Sequence, residues 1–356
     1  MRTKTDVIGW DIGGAHLKAA WLNSAGEVVA VYQEPCHLWQ GLDKLEKALT
    51  DILLQIPKQT VQHVITMSGE LVDLFSSRAE GVTEIIALSQ RVLGQQTLLV
   101  YAGRQGFIAG LNISAQDIDN IASANWLASA SYVASQLNQG LFIDIGSTTT
   151  DILIFQNQHA DVLGYTDFQR LGSGELVYTG IVRTAVMAVS QSVRFAGKEV
   201  GVMSEYFASM ADIYRLTKEL NEQHDQNETA DGQAKTELAS ARRLARMIGC
   251  DAEDFPLAQW QQLAYSIREQ QLCRILTACE TQILRAKPGN IKQLIGAGVG
   301  RFLAKEIAKR LGLAYVDFDS LFQAPEQTSA MQIADCAPAV AVAYLAIEDA
   351  CISNIC

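Results

Sequence analysis

The chain has 356 residues, 49% hydrophobic and 19% charged, a globular composition with room for two domains of ordinary size. Its 39 acidic and 28 basic residues leave a formal charge of −11, which argues against a nucleic-acid partner, because phosphate backbones reward the opposite sign. Met1–Thr5 is short and polar, unlike a signal peptide. The most apolar late segment, "CAPAVAVAYLAIEDACI" at 336–352, is shorter than the roughly 20 residues of a membrane span and holds Glu348 and Asp349. It reads as a buried helix, and the chain as cytoplasmic with no membrane partner. Seven cysteines with no CxxC pair, and no histidine at zinc spacing, fit free thiols in a reducing compartment.

In chain order, 7–11, 17–22 and 28–33 read as three strands, with turns at Gly13-Gly14 and Ala25-Gly26. A helix at 42–54, a strand at 63–67, a helix-rich region to about 93 and a strand at 97–101 follow. One helix is expected at 118–136. The order then repeats: strands at 141–145, 149–155 and 160–165, helices through much of 204–285, a strand at 291–295, a helix at 302–311 and a strand at 314–318. A last helix at 338–350 returns the chain to the first half. The pattern is a duplicated α/β unit, expected to divide as 1–118 plus 337–356 and 119–336, the second with a helical insertion around 200–285. The polar run "NEQHDQNETADGQAK" at 221–235 is a surface loop or a mobile lid.

Two segments say nearly the same thing: "VIGWDIGGAHLK" at 7–18 and "LFIDIGSTTTD" at 141–151. A hairpin requirement explains the glycines. It does not explain an aspartate ending an apolar strand in both copies, since an unpaired buried carboxylate is costly. A phosphate-binding turn accounts for both features. Backbone N–H groups of Gly13, Gly14 and Ala15, and of Gly146, Ser147 and Thr148, would donate to phosphate, aided by the hydroxyls of Ser147, Thr148 and Thr149. Asp11 and Asp144 would hold Mg²⁺, and the two turns would face one ligand. Seven residues after each aspartate the copies differ: Lys18 suits phosphate, whereas Asp151 suits metal-bound water or proton transfer, with surface salt bridges as the plainer reading.

A third Gly-rich element, "LIGAGVGRFLAKEIAKRLG" at 294–312, places Gly296, Gly298 and Gly300 between a strand and a helix, where backbone approaches a ligand closely. Arg301 stands where a dinucleotide fingerprint needs its third glycine.

These hairpins, the duplicated order and the late Gly-rich turn together resemble the actin, sugar kinase and Hsp70 ATPase superfamily. That resemblance implies a duplicated ribonuclease-H-like fold with two domains around a central cleft. Longer stretches are more specific: "TMSGELVDLF" (66–75), "IASANWLASA" (121–130), "DIGSTTTDILI" (144–154), "RLGSGELVYTGIVRT" (170–184) and "ARRLARMIGCD" (241–251). They are similar to the hydantoinase/oxoprolinase-related proteins of tetrahydromethanopterin-linked one-carbon metabolism. The resemblance implies a transferase of methanofuran-type cofactor assembly, joining an aminomethylfuran methyl diphosphate to the phenol of a glutamyl tyramine or tyrosine and releasing diphosphate.

On that footing Mg²⁺, the hairpin N–H groups and Lys18 stabilise the departing diphosphate. Glu70 is the first candidate for the base on the phenol and Asp151 the second. A helix-N-terminal carboxylate is the plainer role for Glu70. Asn125 is expected to line the site, Arg183 to take an acceptor carboxylate and Glu175 the furan's amine. Arg242, Arg243 and Arg246 read as a solvated helix face rather than a glutamyl-binding patch. The alternatives are an ATP-dependent kinase, phosphatase or ATPase subunit, and a non-catalytic nucleotide-binding regulator.

Overall fold

The computed structural model describes residues 5–56, 61–94, 98–286, 289–323 and 331–352. Residues 1–4 of the polar start, and Thr97 at the head of an expected strand, lie outside these. In chain order the first elements are strands β1 (Asp6–Ile12), β2 (His16–Leu22) and β3 (Val28–Pro35), helix α1 (Leu42–Gln55), β4 (Val61–Met67), α2 (Arg78–Leu93), β5 (Leu98–Tyr101) and β6 (Phe107–Ala109). Two helices, α3 (Ile118–Ile121) and α4 (Asn125–Gln136), stand where one was expected. Next come β7 (Gln139–Ile145), β8 (Thr150–Gln156), β9 (His159–Asp161), α5 (Asp167–Ser173) and β10 (Leu176–Val177). The remainder is α6 (Val186–Val189), β11 (Ser192–Phe195), β12 (Lys198–Gly201), α7 (Met210–Leu216), α8 (Glu237–Arg246), α9 (Leu257–Arg285), β13 (Gln293–Ala297), α10 (Arg301–Leu311), β14 (Ala314–Asp317) and α11 (Ala337–Ile352).

The first sheet has the order β3-β2-β1-β4-β5-β6 and the second β10-β8-β7-β13-β14, with β9 also on β8. Over five strands the first sheet follows the ribonuclease-H-like order, β2 antiparallel to both neighbours and β1, β4 and β5 parallel. In the second sheet the third-strand position is shared by β9 and β10, which pair with opposite ends of β8. The strand expected at 160–165 is therefore short.

Two compact units emerge: Met1–Phe142 with Leu153–Ser173 and Val316–Cys356, and Ile143–Ile152 with Gly174–Tyr315. The division falls later than the expected 118/119, because α4 packs on α11 and α11 on β1. Gly9 makes that packing possible: a Cβ there would overlap Ala339 O. The core of the first unit is the apolar face of β1, β2 and β4 against the stripe Leu45, Ala48, Leu49 and Ile52 of α1 and the buried side of α2. Ser77 caps α2 by accepting from Glu80 N. No helix among the described residues is long and apolar enough to cross a membrane.

The second unit carries the expected helical insertion as α7, α8 and α9. Arg243 corrects the solvated-face reading: it is fully buried and donates to Asp212 and Asp231 at 2.8 and 2.9 Å. Arg215 binds Asp225 at 2.7 Å, and Arg246 binds Asp231 at 2.9 Å. Arg242 remains exposed, paired with Glu253. The polar run at 221–235 is thus a loop tied down by buried charge pairs rather than a lid. Cys36, Cys250, Cys273, Cys279 and Cys336 are free thiols; the side chains of Cys351 and Cys356 lie outside those described.

Candidate functional site

In the first unit β1 and β2 meet in the Gly13–Ala15 turn, which Gly13 N closes by donating to His16 O at 3.1 Å. One of the three expected phosphate donors is thereby used within the hairpin. The N–H groups of Gly14 and Ala15 have no acceptor among the described residues. Behind the turn lies the segment after β4. Ser68 N donates to Ile12 O, and a Cβ on Gly69 would crowd Ile12 O and the Gly13 carbonyl carbon.

Asp11 is opposite Lys18 on β2 and Thr66 on β4, so the three share one face of the sheet. The Asp11 side chain is buried and accepts from Asn125 Nδ2 at 3.2 Å. Asn125 is the first residue of α4, and its amide stands 3.5 Å from Ser68 Oγ. Lys18 Nζ donates to the Asp335 carbonyl at 2.6 Å, just before α11. Next to it, burial pushes the Cys336 thiol up to about 12, which leaves no thiolate for nucleophilic work.

Glu70 follows the same segment and is fully buried. Its Oε1 accepts from Ser123 Oγ at 2.7 Å and from Arg78 at 3.2 Å, while Oε2 has no hydrogen-bond partner among the described residues. Arg78 also donates to Ser123 Oγ at 2.8 Å, and Asp167 stands 3.2 Å from that hydroxyl. Close by in sequence, Trp126 is capped by Arg170, whose guanidinium lies 3.8 Å from the ring centroid.

In the second unit Gly146 N closes the turn on Thr149 O at 2.9 Å, the same bond as in the first copy. Ser147 and Thr148 N–H groups again have no acceptor among the described residues. The carbonyls are held from outside: Gly146 O accepts from Ile181 N, and Ser147 O from Val182 N and Arg183 N. Gly180 lies so close that a Cβ would overlap Thr148 N. At Gly298, where φ is +80°, a Cβ would overlap Asp144 Oδ1, and Gly300 N donates to Ile145 O at 2.8 Å. Gly296 makes room for Tyr315 and Ala304. Gly298 and Gly300 thus pack against the strand end that carries Asp144.

Asp151 is half-buried on β8, opposite Leu176. Arg183 is half-buried beside the turn. Glu175, expected to meet an amine, is fully buried with its carboxylate 3.8 Å from Arg285, so a guanidinium already faces it.

Asp11 and Asp144 are hard oxygen donors. Among the described residues no group of three or more His, Cys, Asp or Glu is gathered. Carboxylate oxygens of this kind are the donors a hard cation such as Mg²⁺ takes. A cavity of about 580 Å³ in the second unit is lined by Arg268, Phe302, Lys305, Lys309 and Tyr315, among others, and by none of the expected site residues.

Sequence reasoning missed Ser123, Arg78, Asp167 and Gly180. Ser123 and Gly180 sit inside the stretches singled out above, but nothing local tells a turn serine or glycine from one that braces a site.

The hydantoinase/oxoprolinase family model matches residues 62–340. A protein of Methanocaldococcus jannaschii named (4-{4-[2-(gamma-L-glutamylamino)ethyl]phenoxymethyl}furan-2-yl)methanamine synthase is 28% identical over 305 residues, 85% of this chain and 88% of that protein. A Methanococcus vannielii protein of the same name is 26% identical over 183 residues, covering 51% and 81%. Among solved structures, nucleotide-free acetone carboxylase aligns with a TM-score of 0.50 at 10% identity, over 87% of this chain and 68% of that one.

Proposed function

Because the chain belongs to the hydantoinase/oxoprolinase family, we propose that it is the ether-forming transferase that its curated relatives' name describes. Their product carries a phenoxymethyl link to a furan. Such a link forms when a phenol oxygen attacks a furfuryl carbon that bears a leaving group. The substrates of this reading are an aminomethylfuran methyl diphosphate and a γ-glutamyl tyramine.

The carbon–oxygen bond to diphosphate breaks and its electron pair leaves on the bridging oxygen. The furan ring spreads the positive charge on the methylene carbon, and the phenol oxygen closes the new ether bond. Negative charge therefore gathers on the departing diphosphate. The observation that supports this reading is the pair of hairpins, each with two turn N–H groups that have no acceptor among the described residues, beside a strand-end aspartate. Lys18 lies across from Asp11 and adds a positive charge there.

Asp11 and Asp144 are each a carboxylate that would take Mg²⁺, which would supply electrostatic stabilisation of the leaving group. The phenol, with a reference pKa of about 10, needs a proton acceptor. Glu70 takes that part, with Asp151 as the alternative.

The test is incubation of the purified protein with Mg²⁺, the furan diphosphate and γ-glutamyl tyramine, with the product identified by mass. The ether is expected without ATP, with diphosphate released only when the phenol is present. Steady ATP hydrolysis and no ether would replace this reading with an ATPase.

A further inference from the structure

We propose that Ser123 is a positioning residue that fixes the carboxylate of Glu70 for proton transfer; the proposal rests on the reading of Glu70 as the base.

Three independent features of the first unit converge on Glu70. Gly81, inside α2, has no side chain where a Cβ would overlap the backbone of Glu70, so helix and loop are in direct contact. Arg78, one turn earlier on α2, donates to both Glu70 Oε1 and Ser123 Oγ. Ser123 itself sits at a φ of 49°, a left-handed conformation that a residue with a Cβ rarely adopts. This conformation breaks the expected single helix into α3 and α4 and leaves the hydroxyl at 2.7 Å from Glu70 Oε1.

The proton of one hydroxyl serves one acceptor, and Glu70 at 2.7 Å is closer than Asp167 at 3.2 Å. Arg78 donates to the same oxygen, which gives a directed relay from Arg78 to Ser123 to Glu70. Both donors reach Oε1. Oε2, buried and without a partner among the described residues, is the oxygen left for a substrate proton. An unpartnered buried carboxylate oxygen is costly, and a donor arriving with the substrate would relieve that cost.

The strain makes the idea separable from a structural role. Ser123→Gly removes both the hydroxyl and the backbone penalty, whereas Ser123→Ala removes the hydroxyl alone. If Ser123 positions Glu70, both variants lose kcat by about 10- to 100-fold with KM little changed, and the glycine variant melts no lower than the alanine one. Wild-type kcat in Ser123→Gly, with loss only in Ser123→Ala, would make the residue structural and overturn the proposal. Glu70→Gln is run alongside. Full activity there would overturn the proposal through its premise, the role of Glu70, and would show that the fault lies there rather than with Ser123.

Discussion

The two hairpins share a closing bond and a strand-end aspartate, yet what lies behind them differs. The first turn is backed by a loop that carries polar side chains, Ser68 and Glu70, which meet Asn125 at the start of α4 and Ser123 just before it. The second is backed by glycines and backbone, with Gly180 and Gly298 pressed against the turn and against Asp144. Polar side chains gather behind the first copy, and close-packed backbone behind the second. The lesson is that a repeated turn can be built on two different kinds of support.

That contrast can be broken by substitution. The largest effect is expected where the copies agree. Asp11→Asn and Asp144→Asn should each lower kcat by roughly 10³-fold while thermal unfolding is little changed; loss in one variant only would mean that the aspartates do not share a task. Next comes the glycine comparison. Gly298→Ala should cost about 10²-fold in kcat/KM because both φ and Asp144 resist a side chain, whereas Gly14→Ala meets only the tip of Val72 and should cost less than about tenfold. Equal losses would erase the distinction between cradle and side-chain site.

Lys18→Met should cost about tenfold, mainly through diphosphate; its ammonium is already anchored on Asp335 O, so an unchanged rate would make it a purely structural tie.

The smallest effect is on stability. Burial lowers the pKa of His63 to about 4 in the folded chain, where its Nδ1 accepts from Trp10. Between that value and the ordinary 6.5 the unfolded chain binds the extra proton, so stability falls as pH drops through this window. Denaturant titrations at about pH 7.5 and about pH 5.5 should differ by on the order of 1 kcal/mol, and His63→Gln should flatten the difference.

Much of the fold was legible because apolar strands, Gly turns and their order are local signals repeated in sequence. The break between α3 and α4 was not. "IASANWLASA" has no proline or glycine to mark it, and Ser123 adopts its left-handed backbone for tertiary reasons, namely Arg78 and Glu70. The burial of Arg243 was hidden for a similar cause: its partners Asp212 and Asp231 lie 31 and 12 residues away in sequence. Strand-end aspartates could be picked out by their cost in an apolar run. Braces such as Ser123 and Gly180 show their purpose only once their neighbours are in place.

The central claim is alkyl transfer, with diphosphate as the leaving group. It is tested most directly by labelling the bridging oxygen of the furan diphosphate with heavy oxygen and following it through one turnover with an unlabelled phenol. The account predicts that all of the label leaves in diphosphate and that the ether keeps the phenol's own oxygen. Label retained on the furan carbon would mean that a phosphorus–oxygen bond had broken, and would contradict it.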